Sequence, residues 1–220
     1  GATGAVPRFQ DARRLAASEA SRTQDLVTVG IVPAHPETGL GYIEPGAPTA
    51  GAARRVARFI EKPQQARADA LVAAGALWNS GIFAWPVGVF LDEVRAHCPA
   101  VADSLERAGD DAVAFFTSVK EPVAVDVAVL ERSAKVYVLA GSFGWSDVGT
   151  WSALRDVCPR DAAGNVTHGR VHLRESSDNV VHAASADVVL YGVQGLVVVE
   201  HDGVVLVTTR WCRPYTAGVL

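Results

Sequence analysis

Glu61 and Lys62 stand side by side where the run ending in Phe59 and Ile60 meets Pro63. An acid and a base at a strand end lie where open α/β sheets bind ligands, outside the carboxyl ends of their strands. Lys62 can neutralise a phosphate as a compact point charge, and Glu61 can accept hydrogen bonds from sugar hydroxyls. The same two residues also read as a solvated ion pair on a loop. In Trp78-Asn79-Ser80-Gly81, Asn79 offers a carbonyl and an amide, which suits sugar hydroxyls, and Gly81 permits close backbone approach. The plainer alternative is a turn Asn ahead of a strand. In Trp145-Ser146-Asp147-Val148-Gly149-Thr150-Trp151, Asp147 either caps a helix or ligates a hard cation such as Mg²⁺. Thr38-Gly39-Leu40-Gly41-Tyr42-Ile43-Glu44 exposes backbone N–H groups to a ligand oxygen, or is an ordinary glycine loop.

These residues need elements to hold them. Apolar residues between Phe9 and Arg22 fall at helical spacing. Leu26 to Val32 is apolar and β-branched and stops at Pro33, a buried strand. Ala34 to Ala53, rich in Gly and Pro, reads as a loop or irregular hairpin. Arg55 to Ile60 reads as a strand, with Val56 and Ile60 inward. Pro63 suits the first position of an Ala-rich helix that Gly75 can cap. Gly81 to Trp85 is a short strand. Helices follow from Pro86 to Arg95 and near 101–108, 112–119 and 123–132, then a strand over Lys135 to Leu139 and a helix from Thr150 to Val157. This alternation is α/β, with a largely parallel sheet expected. Beyond Pro159 the texture changes to short β-type runs broken by Gly, Asn and Asp. The expected division is 1–160 and 161–220, with the boundary between Cys158 and Gly164.

The bulk numbers fit a globular chain. Its 220 residues are 49% hydrophobic and 20% charged, with a net charge of -4. That balance excludes intrinsic disorder and argues against a nucleic-acid binder working through bulk charge. The three cysteines, Cys98, Cys158 and Cys212, are widely spaced and read as free buried thiols in a reducing cytoplasm. No apolar run is long enough to span a bilayer, so no membrane partner is expected. The absence of methionine reads as a processed start or a piece of a longer protein.

Taken in order, the glycine loop ending in Tyr42-Ile43-Glu44, then Phe59-Ile60-Glu61-Lys62-Pro63, Trp78-Asn79-Ser80-Gly81-Ile82-Phe83, the Val125 to Glu131 segment and Trp145 to Trp151 resemble the mannose-1-phosphate guanylyltransferases. The resemblance runs from about Leu26 to His201. It implies part of a Rossmann-like, glycosyltransferase-A-type mixed sheet with flanking helices, followed by a small all-β, β-helix-like domain. It implies transfer of GMP from GTP to mannose 1-phosphate, with Mg²⁺ as cofactor; the oligomeric state stays open, a homodimer being one option. Residue by residue, it implies that Glu61 holds the mannose ring, Lys62 binds the 1-phosphate and Asn79 bonds ring hydroxyls. Gly41 would present a backbone amide to the sugar, with Tyr42 and Glu44 shaping the same wall. Asp147 would be one of two Mg²⁺ ligands, and Asp126 matches a recurrent family Asp without a firm role.

The family's glycine-rich nucleotide loop and its Pro-Ala-Asp-His segment have no counterpart here, and position 40 is Leu where Tyr is usual. The expectation is a chain that carries the sugar-phosphate half of the site, is inactive alone, and exposes an apolar sheet edge. Lys62, Asn79 and Asp147 are expected to converge on a phosphorylated hexose. Another sugar-1-phosphate nucleotidyltransferase, a non-catalytic sugar-phosphate binder and a structural module with chance motifs remain alternatives.

Overall fold

A computed structural model describes residues 5–148, 151 and 154–209. The chain separates into two compact units, Gly1–Trp145 and Ser146–Leu220. The division falls ahead of the expected one, because the strand ending at Gly141 closes the first unit.

In the first unit the elements run α1 (Ala5–Thr23), β1 (Leu26–Ile31), β2 (Tyr42–Pro48), β3 (Arg54–Ile60), α2 (Gln65–Ala73), β4 (Leu77–Ala84), α3 (Val87–His97), α4 (Pro99–Ala108), α5 (Ala112–Ser118), a π-helical turn at Asp126–Leu130 and β5 (Val136–Gly141). The strands hydrogen-bond in the order β1-β4-β2-β3-β5, and β5 returns to β1. Among the described residues β1 therefore shows no open edge of the kind expected: β5 pairs with it along its length, from Leu26↔Val136 to Ile31↔Gly141. That pair is parallel, whereas β1–β4, β2–β3, β2–β4 and β3–β5 are antiparallel. A largely parallel sheet does not form, because the link from Pro48 to Arg54 is too short for a parallel crossover.

Alternating side chains sort the strands onto two apolar clusters. Val27, Val29, Tyr42, Trp78, Tyr137 and Leu139 pack with Ala16 and Ala20 of α1 and with Ala68 and Leu71 of α2. Leu26, Ile43, Phe59, Leu77, Val136 and Val138 pack with Val94 of α3, Ala102 of α4 and the π-helical turn. Ile60 and Val56 pack, half-buried, against the first and the second cluster respectively, and Phe59 is buried in the second, because register shifts between Glu44 and Pro48 break the alternation. Helix α2 starts after Gln64, two residues beyond the proline expected to open it. It ends as expected at Gly75, whose φ of 80° lets Gly75 N–H reach Val72 O and Ala76 N–H reach Leu71 O.

The second unit holds α6 (Leu154–Val157), β6 (Val166–His168), β7 (Val171–Arg174), β8 (Val180–Ala183), β9 (Val188–Tyr191), β10 (Leu196–His201) and β11 (Val204–Thr209). Strands β6, β8 and β10 stack in parallel, β11 closes that sheet as a hairpin, and β7 pairs with β9 in parallel. Buried asparagines tie the rungs together. Asn165 Oδ1 accepts from Asn179 N–H at 3.0 Å, and Asn179 Oδ1 accepts from Leu196 N–H at 2.9 Å. Cys98 and Cys158 are free thiols and half-buried, less enclosed than expected; Cys212 lies outside the described residues. Among the described residues no helix is long and apolar enough to cross a membrane.

Candidate functional site

The site of the first unit lies one step past the buried part of its sheet. Tyr42 pairs with Ile60 on one side and with Trp78 on the other. The row on one side of this triplet, Ile43, Phe59 and Leu77, belongs to the cluster that includes the π-helical turn. The row on the other side is Gly41, Glu61 and Asn79. Because side chains alternate along a strand, this row continues the same face after the apolar residues end. The pleat therefore exchanges a hydrophobic row for a polar one at the rim.

Distances confirm that this row is gathered. Asn79 N–H donates to Gly41 O at 2.8 Å. Asn79 Nδ2 donates to Asp126 Oδ1 at 2.9 Å, and Thr28 Oγ1 donates to Asn79 Oδ1 at 3.1 Å. Glu61 N–H donates to Glu131 Oε1 at 3.1 Å. A Cβ placed on Gly41 would lie 2.5 Å from Glu61 Oε2 and 3.2 Å from the Phe59 ring. Gly41 thus leaves the space that the Glu61 carboxylate occupies. Lys62 follows with a φ of 45°, an uncommon conformation for a side-chain-bearing residue. Its N–H reaches Leu40 O at 3.2 Å, and its Nζ lies 3.5 Å from Glu61 Oε1. The Lys62 side chain is 65% exposed, so its charge faces solvent at the rim and is open to an anion.

Burial pushes the Glu61 carboxyl above the usual carboxylate range, and the nearby Asp126 carboxylate adds to the push. Lys62 pulls in the opposite direction. A carboxylate raised by burial and by a neighbouring acid, beside a strained lysine, is the kind of perturbed group that clusters at functional sites.

Two expected wall residues are placed differently from the rest. Tyr42 is wholly buried, and its hydroxyl accepts from Glu37 N–H at 2.8 Å, so it braces the glycine loop from beneath. Glu44 is held by Arg67 at 3.2 Å and Arg58 at 3.7 Å. Thr28 and Glu131 join the cluster without having been singled out as site residues. Thr28 had a signal, being the one hydroxyl within the apolar run Leu26 to Val32.

Asp147 is exposed and belongs to the second unit, while Lys62 and Asn79 belong to the first. Thr150, its expected neighbour as helix cap, lies outside the described residues. Among the described residues no group of three or more His, Cys, Asp or Glu is arranged to hold a metal ion. Mg²⁺ usually takes one or two carboxylates and completes its shell with water and substrate phosphates, so a lone exposed Asp fits one ligand of such an ion.

With this geometry in hand, known proteins give it a context. The profile of the nucleotidyl transferase family matches residues 6–164. The mannose-1-phosphate guanylyltransferase of Escherichia coli K12 is 41% identical over 201 residues, covering 84% of this chain and 42% of that protein. The xanthan biosynthesis protein XanB of Xanthomonas campestris pv. campestris is 39% identical over 214 residues, covering 92% of this chain and 44% of that protein. The chain thus spans a little under half the length of these curated relatives. A crystal structure described as a mannose-1-phosphate geranyltransferase from Thermus thermophilus superposes with a TM-score of 0.82 at 33% identity, covering 93% of this chain and 61% of that one.

Proposed function

The chain belongs to the nucleotidyl transferase family, and on that premise we propose that it supplies the sugar-phosphate half of a mannose-1-phosphate guanylyltransferase site. The observation that carries this reading is the polar row Gly41, Glu61 and Asn79 with Lys62 at its end, gathered at one rim of the sheet. The mannosyl 1-phosphate oxygen attacks the α-phosphorus of GTP. The bond from that phosphorus to its bridging oxygen breaks, pyrophosphate leaves, and GDP-mannose remains. No covalent enzyme intermediate is required. The protein contributes alignment of two anions and neutralisation of their charge.

Within that reaction Lys62 meets the 1-phosphate, Glu61 accepts from ring hydroxyls, and Asn79 bonds a ring hydroxyl. The family resemblance adds the Gly41 backbone amide as a donor to the sugar. Asp147 would ligate Mg²⁺, which when bound neutralises phosphate charge. The parallel rungs of the second unit support reading it as a short β-helix-like domain. Guanine as the base rests on the resemblance, and the cytoplasm as the compartment on the free thiols Cys98 and Cys158.

Calorimetric titration of the chain with mannose 1-phosphate, glucose 1-phosphate and free mannose tests the reading. Mannose 1-phosphate is expected to bind tightest, with free mannose weakened in the parent and indifferent to Lys62→Ala. Equal binding of mannose and mannose 1-phosphate, or none of either, defeats it.

A further inference from the structure

We infer that Thr28 and Asp126 are positioning residues that lock the side-chain amide of Asn79, so that Asn79 meets a ligand as a hydrogen-bond donor only. The ligand in this statement rests on the sugar-phosphate reading above; the lock itself does not. Thr28 is wholly buried within β1, and its hydroxyl donates to Asn79 Oδ1 at 3.1 Å. The competing acceptor, Ile82 O, is at 3.5 Å, the limit of a hydrogen bond. Gly81 N–H points at the same Oδ1 at 3.4 Å. On the other side, Asp126 Oδ1 takes Nδ2 at 2.9 Å.

An ionised carboxylate only accepts, and a backbone N–H only donates. A flipped amide would set Oδ1 against the Asp126 carboxylate and its NH₂ against Gly81 N–H. The Thr28 hydroxyl could rotate to follow the flip, but those two groups could not. One orientation therefore survives, and in it Oδ1 is filled while one Nδ2 hydrogen remains for a ligand. Glu61, in the same row, is an acceptor. A hydroxyl that accepts from Asn79 and donates to Glu61 satisfies both, which makes the pair a reader of hydroxyl position on the sugar ring.

The test uses Thr28→Ser and Thr28→Val, with Asp126→Ala as a second break of the lock. Thr28→Ser keeps the hydroxyl and loses a methyl; Thr28→Val keeps the shape and loses the hydroxyl. Affinity for mannose 1-phosphate is expected to hold in Thr28→Ser and to fall about tenfold in Thr28→Val and in Asp126→Ala, the worth of one hydrogen bond. Melting temperatures of the two Thr28 variants need not follow that order, so a merely structural role would not produce it. Equal affinity of Thr28→Val and Thr28→Ser overturns the inference.

The lock is also read without ligand, by ¹⁵N relaxation of the Asn79 side-chain amide. That amide is expected to be rigid in the parent and in Thr28→Ser, and mobile in Thr28→Val. An amide that stays rigid in Thr28→Val overturns the lock. If the parent fails to bind mannose 1-phosphate while the relaxation pattern holds, the proposed function falls and the lock stands.

Discussion

Replacing Gly41 by Ala should damage ligand binding far more than stability. The new Cβ would lie 2.5 Å from Glu61 Oε2, where ordinary contact begins at 3.4 Å, so the carboxylate must recede by 3.4 − 2.5 = 0.9 Å. The Phe59 ring, at 3.2 Å, is buried and yields less readily. Glu61 is a flexible chain end, and moving it off its rotamer costs about 0.5–1.5 kcal/mol. Losing a glycine from the unfolded chain returns roughly 0.4–1 kcal/mol where the backbone accepts the change. The melting temperature should therefore move by no more than about 5 °C, at roughly 2–4 °C per kcal/mol for a chain of this size. Binding loses a hydrogen bond to a charged group, about 1.5–3 kcal/mol, which is about 10- to 150-fold in affinity. Melts and calorimetry with mannose 1-phosphate measure both. A double-mutant cycle sharpens the result, because in a Glu61→Ala background the Gly41→Ala change should add little. An unchanged affinity would refute the placement of Glu61 on the ligand. A collapse of the melt would mean that Phe59 or the backbone absorbed the strain instead.

Three further expectations follow from the same contacts. Because the Glu61 carboxyl is raised in the folded chain, the folded state holds its proton longer, and stability declines as pH rises through about 4.3, the unfolded value, to the raised one. Glu61→Gln should then melt above the parent at pH 7 and alongside it below pH 4, while losing sugar-phosphate affinity. In the second unit Glu200 accepts from Ser185 N–H, Ala186 N–H and Ser185 Oγ, and backbone donors led by Ala186 lower its carboxyl to about 2. Its contribution is complete above about pH 4.3 and drains away as pH falls toward 2, so circular dichroism of Glu200→Gln should show a flatter acid limb than the parent. Asn179 is buried, and Asn179→Ala takes the partner from Leu196 N–H and, at 3.3 Å, from Val193 O, both half-buried. At about 1–3 kcal/mol for an orphaned group, and less where water reaches it, a loss of roughly 1–3 kcal/mol is expected by chemical denaturation.

How much of this was legible in the sequence depends on how local each signal is. Helix α1 announced itself by periodicity, strand β1 by a continuous apolar, β-branched run, and Gly75 by its position after an Ala-rich run. Strand β2 was hidden, because Pro45, Gly46 and Pro48 read as a loop. Its pairing explains how they are tolerated: β4 bonds β2 only at Tyr42 and Ile43, so both prolines sit where that neighbour has left the edge open. Strand β4 began at Leu77 and not Gly81, so Asn79 lies in a strand where a turn was the plainer reading. Closure of the five strands, and with it the loss of the expected edge, depends on β5 meeting β1 across the whole unit, which no local pattern encodes. The candidate residues were visible by type; the Thr28 and Glu131 contacts were not, since they arise from strands and turns distant in sequence.

The place of the site follows from where the sheet runs out of partners. Gly41, Glu61 and Asn79 are each the first residue past a register that centres on Tyr42. Inside that register the side chains of this face, Ile43, Phe59 and Leu77, are apolar and buried. One residue further, β3 has ended, β2 is giving way to the glycine loop, and the β1–β4 ladder shifts register between Thr28 and Gly30. A polar side chain is tolerated there without desolvation on all sides, and the apolar rows beneath hold its backbone rigidly. Moving the polar row one step inward would bury the Glu61 carboxylate and the Asn79 amide under the helices. One step outward would leave them on loops. The sheet's last paired row therefore fixes both the position and the stiffness of the ligand-facing groups, and Lys62, forced into a left-handed turn directly after it, is carried to the rim by the same geometry.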